Sequence, residues 1–162
     1  MNNLTFFKTC FNNELNATVD LIKSCPSDQL DYRPHPVNRS AYEIIEHIIS
    51  HITDIKTLLL NDRCDETLNF QFTNTTDAVE KLTGFWKEVE VILENYTIEK
   101  WENETVSLFI NDKLFASMPR TNMLWFFFFD IVHHRGQLSS YVRPMGGKNP
   151  AVYGYSADTS KI

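Results

Sequence analysis

Apolar residues recur three and four positions apart over four long stretches of the chain, the period of helices that each bury one face. The first stretch runs from about Leu4 to Ile22, with Leu4, Phe7, Phe11, Leu15, Val19 and Ile22 on its stripe, and it must stop before Pro26. The second opens on Ser40 with Glu43 three residues later, a capping box. It continues through Ala41, Ile44, Ile45, Ile48, Ile52, Ile55 and Leu59. The third begins near Thr75 or Thr76, with Asp77 in its first turn, and carries Val79, Leu82, Phe85, Trp86, Val89, Leu93 and Tyr96. The fourth extends from around Thr121 to Pro144, which ends it. Apolar residues wrap most of the way round this last helix, as expected of the most buried helix or of one that also faces a partner subunit.

Between the third and fourth helices, VSLFINDKLFASM places two short β-prone runs around Asn111-Asp112 and reads as a small hairpin or an extended excursion. Gln71 and Phe72 fall in a polar connector without an assignment, and Gly146, Gly147, Asn149 and Pro150 make a turn-rich tail. Four amphipathic helices in 162 residues predict an all-α fold. The architecture expected is a four-helix bundle, with a short hairpin excursion before the last long helix, forming a single domain over residues 1–162.

Composition narrows the functional classes. A net charge of −6 without a Lys/Arg cluster argues against nucleic acid, whose phosphates demand a basic face. The longest apolar run, Met123 to Phe129, has seven residues, against the ~20 of a membrane-spanning helix. The first residues lack the basic region and apolar run of a signal peptide. Cys10, Cys25 and Cys64 form no CxxC pair and read as reduced structural thiols, so a soluble, cytoplasmic protein is expected. There is no Ser-His-Asp elbow, P-loop or dinucleotide fingerprint. Trp86, Trp101 and Trp125 read as core or interface fillers, and EVEVILENYTIEKWENE as a solvated acidic face.

The chemistry concentrates in FFFFDIVHHRGQLSSYVRP, where an acid and two imidazoles follow four phenylalanines. At ~100° per residue, Asp130 and His134 lie roughly 40° apart on one helical face, and His133 points about 100° away from His134. Met123, Phe127, Leu138 and Tyr141 share the Asp130 face, with Gln137 beside it. On the second helix His47 and His51 are four apart, on the shoulder of the isoleucine stripe. An acid at one position and an imidazole four later is a metal-ligand spacing inside a helical bundle. A third donor from a facing helix, His47 or His51, would complete a set of two histidines and one carboxylate with open positions. Such a set suits zinc, nickel, iron or manganese. The competing reading of Asp130 and His134 is a local hydrogen bond that satisfies two polar groups.

The segment HHRGQLSSYVRPMGGKNPAVYGYSAD resembles the end of the DinB-like superfamily of metal-binding four-helix bundles, with its doublet histidine, following arginine and YG-x-S-x-D tail. Tyr32-Arg33-Pro34 and Ser40-Ala41-Tyr42-Glu43, followed by His47, look like the family's region before and within its second helix. The resemblance covers roughly Leu4 to Asp158. It implies a divalent metal, nickel or zinc, held by one histidine of the second helix and an H-x3-H pair of the fourth. His47 matches the first histidine and His134 the last. Where the middle histidine belongs this chain has Asp130, a departure. Aspartate is a competent ligand, so the expected metal set is His47, Asp130 and His134, with iron or manganese admitted alongside nickel and zinc. His133 is not expected to be a ligand, and Arg135 and Gln137 are expected either to be structural or to sit behind the ligands. His51 stands as a substitute ligand should Asp130 turn away, and otherwise as a partly exposed histidine on its helix shoulder.

The resemblance further implies a thiol S-transferase, in which the metal lowers the pKa of a low-molecular-weight thiol that then attacks a small-molecule electrophile, or a related hydrolase. The alternative is a non-catalytic metal-binding or stress-response protein with a structural or vestigial site. Relatives of this kind are often dimers, and Trp125, Phe126, Phe128 and Phe129 exceed what one inward stripe needs, so a homodimer is expected.

Overall fold

The computed structural model describes residues 1–159. Among them the chain is mostly helical, with five α-helices and a three-stranded sheet in the order β1-β2-β3. The four long helices are α1 (Asn3–Ser24), α2 (Ala41–Leu60), α3 (Thr75–Glu94) and α5 (Arg120–Val142), all within a few residues of the stretches read from periodicity. Their starts are chemically specified. Asn2 accepts from the Thr5 amide at 2.8 Å, and Asn74 from the Asp77 amide at 3.0 Å. Ser40 and Glu43 close the expected capping box at 3.2 and 2.6 Å.

Helix α1 packs against α3 and α5, and α2 packs against the same two. Phe7, Phe11, Ile44, Ile48, Trp86 and Phe127 lie in the shared core, essentially without solvent contact. Phe11 stacks on Trp86 with ring centroids 4.2 Å apart.

The remaining elements correct the all-α expectation. Strand β1 (Arg63–Asp65) runs parallel to β2 (Thr105–Ile110), which pairs antiparallel with β3 (Lys113–Pro119). The expected hairpin is therefore present, and it acquires a third strand from the far side of α3. Asn111 and Asp112 at its tip have φ of 49° and 61°, the left-handed conformation that a tight two-residue turn requires. Helix α4 (Ile98–Asn103) falls inside the run read as a solvated acidic face. That reading fails at Trp101, which is fully buried against Phe7 at 4.9 Å and donates from its indole nitrogen to Asn3 Oδ1 at 3.0 Å. An indole that buries so much area overrides the surrounding glutamates.

Arg120 joins α2 to α5. Its buried guanidinium donates to the Leu58 carbonyl, to Asn61 O at 3.2 Å, to Asp62 Oδ1 at 2.5 Å and to Glu104 Oε2 at 2.6 Å. A buried arginine needs acceptors, and here the two terminal nitrogens find them, including carbonyls left unpaired at the end of α2, while Nε has none among the described residues. The consequence is a fixed α2–α5 pairing. Of the aromatics that seemed surplus on the last helix, Phe128 is buried, whereas Phe126 and Phe129 are 45% and 61% exposed. Among the described residues no helix is long and apolar enough to cross a membrane.

Candidate metal centre

Each of the two paired helices contributes two polar side chains one turn apart, His47 and His51 from α2, Asp130 and His134 from α5. The four meet between the helices. His47, Asp130 and His134 each offer one ligand-type atom, and these atoms lie within 4.8 Å of one another. Asp130 Oδ2 is 3.3 Å from His134 Nε2 and 3.6 Å from His47 Nε2. The rings of His47 and His134 stand nearly perpendicular, 4.6 Å between centroids. The structure thus brings together the three residues singled out in the sequence. His133 is exposed and lies outside the group, as its helical angle requires.

Hydrogen bonds set which nitrogen of His134 faces the cluster. Its Nδ1 is 3.1 Å from Gln137 Oε1, while the Gln137 amide nitrogen approaches Tyr141 Oη at 3.5 Å and that hydroxyl donates to the Arg39 carbonyl at 3.1 Å. With the amide so oriented, Nδ1–H is the donor and Nε2 keeps its lone pair for the cluster. Gln137 supports the site in the way expected of it. Arg135 does not touch it. Its buried guanidinium turns to Glu14 of α1 and to Tyr153 of the tail, so it clamps the C-terminal segment.

Electrostatics follow from the same contacts. The imidazoles of His134, His47 and His51 gathered around it hold the Asp130 carboxyl far below the usual carboxylate range, so it is ionised. Burial depresses the His47 pKa, reinforced by neighbouring His51, Arg39 and His134 against the opposing pull of Asp130. A neutral His47 has a lone pair to offer. One carboxylate and two imidazoles, converging from two helices, fit a divalent ion of borderline softness.

His51 is the correction here. It is not a partly exposed shoulder residue but is 3% exposed, with Nε2 2.7 Å from Asp130 Oδ2. Its Nδ1 faces Asp54 Oδ2 at 3.6 Å, and Phe127 packs edge-on to its ring. Burial works against charging His51, yet the carboxylates of Asp130 and Asp54 together outweigh it and raise its pKa. His51 stands outside the group of three that surrounds one point, but it is bound to one of them.

A further part of the site escaped the sequence reading. The segment after β1, residues 66–72, has no regular structure and hangs along α2. The amide of Thr67 donates to Asp54 Oδ1 at 2.9 Å, that of Phe70 to Glu46 Oε1 at 2.7 Å, and that of Phe72 to Tyr42 Oη at 3.2 Å. Phe72, left unassigned in the sequence, is buried and stacks on Tyr42 at 4.1 Å. Tyr42, Glu46 and Asp54, four and then eight residues apart, lie on one helical row beside the isoleucine stripe, and that polar row was the available signal. Between this segment and α2 opens a polar cleft of about 330 Å3, lined by His47, Arg39, Glu46, Glu66 and Thr67. Burial raises the pKa of Glu66 on its rim. A larger apolar groove of about 620 Å3, between α1 and α5 at Phe6, Trp125 and Phe129, contains none of the cluster residues.

Comparison with known proteins gives the family and the fold. The DinB family model matches residues 1–161, and the chain belongs to the DinB family. It is similar to YjoA of Bacillus subtilis, with 24% identity over 131 residues, 81% of this chain and 83% of the relative. The crystal structure of that DinB-like protein superimposes with a TM-score of 0.72 at 20% identity, covering 93% of this chain and 99% of the other. A DinB-like protein from Bacillus cereus gives a TM-score of 0.73 at 18% identity over 91% and 95% of the two chains. A DinB-family member from Exiguobacterium sibiricum gives 0.65 at 17% identity over 98% and 97%. At these identities the superpositions speak for the fold.

Proposed function

We propose that this chain is a divalent-metal enzyme that holds its ion through His47, Asp130 and His134, and that its reaction is the transfer of a low-molecular-weight thiol to a small electrophilic substrate. The observation that carries the reading is the convergence of three ligand-type atoms within 4.8 Å beside a polar cleft open to solvent. Nickel and zinc suit two imidazoles and a carboxylate, with iron and manganese as alternatives. A divalent ion held there supplies Lewis acidity, which favours the deprotonated form of a thiol near neutral pH. The protein's own residues do the rest. His134 is held by Gln137 with Nε2 toward the cluster, Asp130 contributes a negative charge, and the cleft beside His47 admits a polar molecule. The protein's cysteines are not needed as nucleophiles. Cys25 is buried with its pKa pushed up to about 12, and Cys64 is raised by burial and by Asp54.

We read α1, α2, α3 and α5 as the family's four-helix bundle, with α4 and the sheet added at one end. The paired contacts of α1 and α2 with α3 and α5 support this. The assembly we propose is a homodimer through the aromatic face at Phe6 and Phe129, which are 48% and 61% exposed.

Metal analysis of untagged protein, followed by titration of the stripped chain with zinc and nickel, tests the site. Stoichiometric uptake that vanishes in His134→Ala supports it, and no uptake by the wild type overturns it. Consumption of a small thiol in the presence of an alkylating electrophile then tests the reaction. Metal uptake without any thiol turnover would favour the alternative, a binding or stress-response protein with a structural ion.

A further inference from the structure

Among the histidine contacts of Asp130, the shortest is with a residue outside the ligand group. His51 Nε2 lies 2.7 Å from Asp130 Oδ2, compared with 3.3 Å for His134 and 3.6 Å for His47. Because the carboxylate is an acceptor, the hydrogen in this contact belongs to His51 Nε2. The other end of the ring faces Asp54, a fully buried acid. Asp54 is itself fixed, its Oδ1 accepting the Thr67 amide at 2.9 Å and the Cys64 thiol at 3.6 Å. Among the described residues His51 Nδ1 and Asp54 Oδ2 have no hydrogen-bond partner, and they face one another at 3.6 Å as a charge-pair contact. His51 thus lies between Asp54 and Asp130, in contact with both.

We propose that His51, braced by Asp54, is the positioning residue that holds the Asp130 carboxylate at the histidine cluster. Aspartate has a shorter reach than histidine, and its side-chain oxygens swing freely about χ2 unless something pins them. A buried Nε2–H at 2.7 Å is such a pin. An ionised carboxylate offers about four acceptor sites, so donation from His51 leaves Asp130 able to take an ion as well. His51 does not act as a base toward a substrate, because its Nε2 is spent on Asp130 and the ring is 3% exposed. The pair Asp54–His51 therefore compensates in this chain for the carboxylate standing where the resembled family has a histidine.

The inference rests on the metal reading, and the experiment separates the two. Zinc is titrated by calorimetry into stripped wild type, His51→Leu, His51→Gln, Asp130→His, and the double variant His51→Leu/Asp130→His. Loss of the pin is expected to weaken zinc binding about 10–100-fold in His51→Leu. His51→Gln, whose amide can still donate toward Asp130, is expected to recover most of that loss. In the Asp130→His background, His51→Leu is expected to cost nothing. Equal losses in both backgrounds would mean a general structural role and would overturn the proposal, as would wild-type affinity in His51→Leu. If wild type itself takes up no zinc, the metal reading falls alone, and urea unfolding of the ion-free chains decides the pin. The destabilisation by Asp130→Ala must then shrink in the His51→Leu background, and strictly additive midpoint shifts would overturn it.

Discussion

His134 and Gln137, one helical turn apart on α5, form a contact of 3.1 Å that selects the nitrogen His134 presents to the cluster. Gln137→Leu removes the acceptor and frees the ring to flip or change tautomer. The expected result is a roughly 10–100-fold weaker zinc affinity, with the fold intact by circular dichroism, as is usual when the outer partner of a metal-bound histidine is lost. Calorimetric titration checks it, and unchanged affinity would show that packing alone orients His134.

Asp130 distinguishes ligand from mere hydrogen-bond partner. If the carboxylate binds the ion, Asp130→His keeps or strengthens nickel and zinc binding, and both Asp130→Asn and Asp130→Ala weaken it, since borderline metals prefer nitrogen or an anionic oxygen to an amide. Asp130→Asn matching wild type, together with no gain in Asp130→His, would remove Asp130 from the ligand set.

The same carboxylate makes the ion-free protein acid-sensitive. Its folded pKa lies below the unfolded value of about 4, so its stabilising contribution is present above that value and is lost as pH falls toward the folded pKa. His47 adds in the same direction. With its folded pKa depressed, the unfolded chain takes up protons first as pH drops through about 6.5. Urea midpoints measured from pH 7 down to pH 3 should fall more steeply in wild type than in Asp130→Asn. Parallel curves would show that Asp130 does not carry the acid response.

Packing gives the largest single loss. Phe11 is fully buried and stacked on Trp86. Phe11→Ala should destabilise by ~3–5 kcal/mol through lost transfer energy and the cavity left behind. At the hairpin tip the change runs the other way. Asp112 holds φ of 61°, a conformation that favours glycine. Asp112→Gly should be neutral to stabilising by up to ~1 kcal/mol, giving the Asn-Gly pair that such turns prefer. Chemical denaturation reads both.

The aromatic face at Phe6 and Phe129 predicts a concentration-dependent mass. Light scattering should give a dimer at micromolar concentration for wild type and a monomer for Phe129→Glu. A clean monomer for wild type would remove the dimer.

The four long helices were legible because apolar residues recur at helical spacing in each, reinforced at α2 by the Ser40–Glu43 capping box, whereas α5 starts after Pro119 without a side-chain cap. Asp130 and His134 were legible as a pair because they share one helical face, whereas His47 was singled out over His51 only by the family resemblance. Other parts left little local trace. β1 is three residues long and takes its partner from a strand some forty positions later, a pairing no periodicity records. Trp101 was legible as a core filler, but the glutamates around it hid the short helix α4 that carries it against Phe7. His51 looked like a shoulder residue because its partners, Asp130 and Asp54, come from the facing helix and from the next turn, and neither contact is visible until α2 and α5 are paired.

The wall of the cleft beside His47 owes its shape to side chains that belong to another element. Tyr42, Glu46 and Asp54 receive it at three points, much as pegs receive a rope. Between the pegs, Leu68 and Asn69 are exposed and carry none of these attachments. The residue at position 68 can therefore change in size and charge while the backbone keeps its course, whereas Asn69, at φ of 59°, is held to residues that accept left-handed backbone. Such an arrangement lets related chains diversify what enters the cleft without disturbing the helix that carries the histidines.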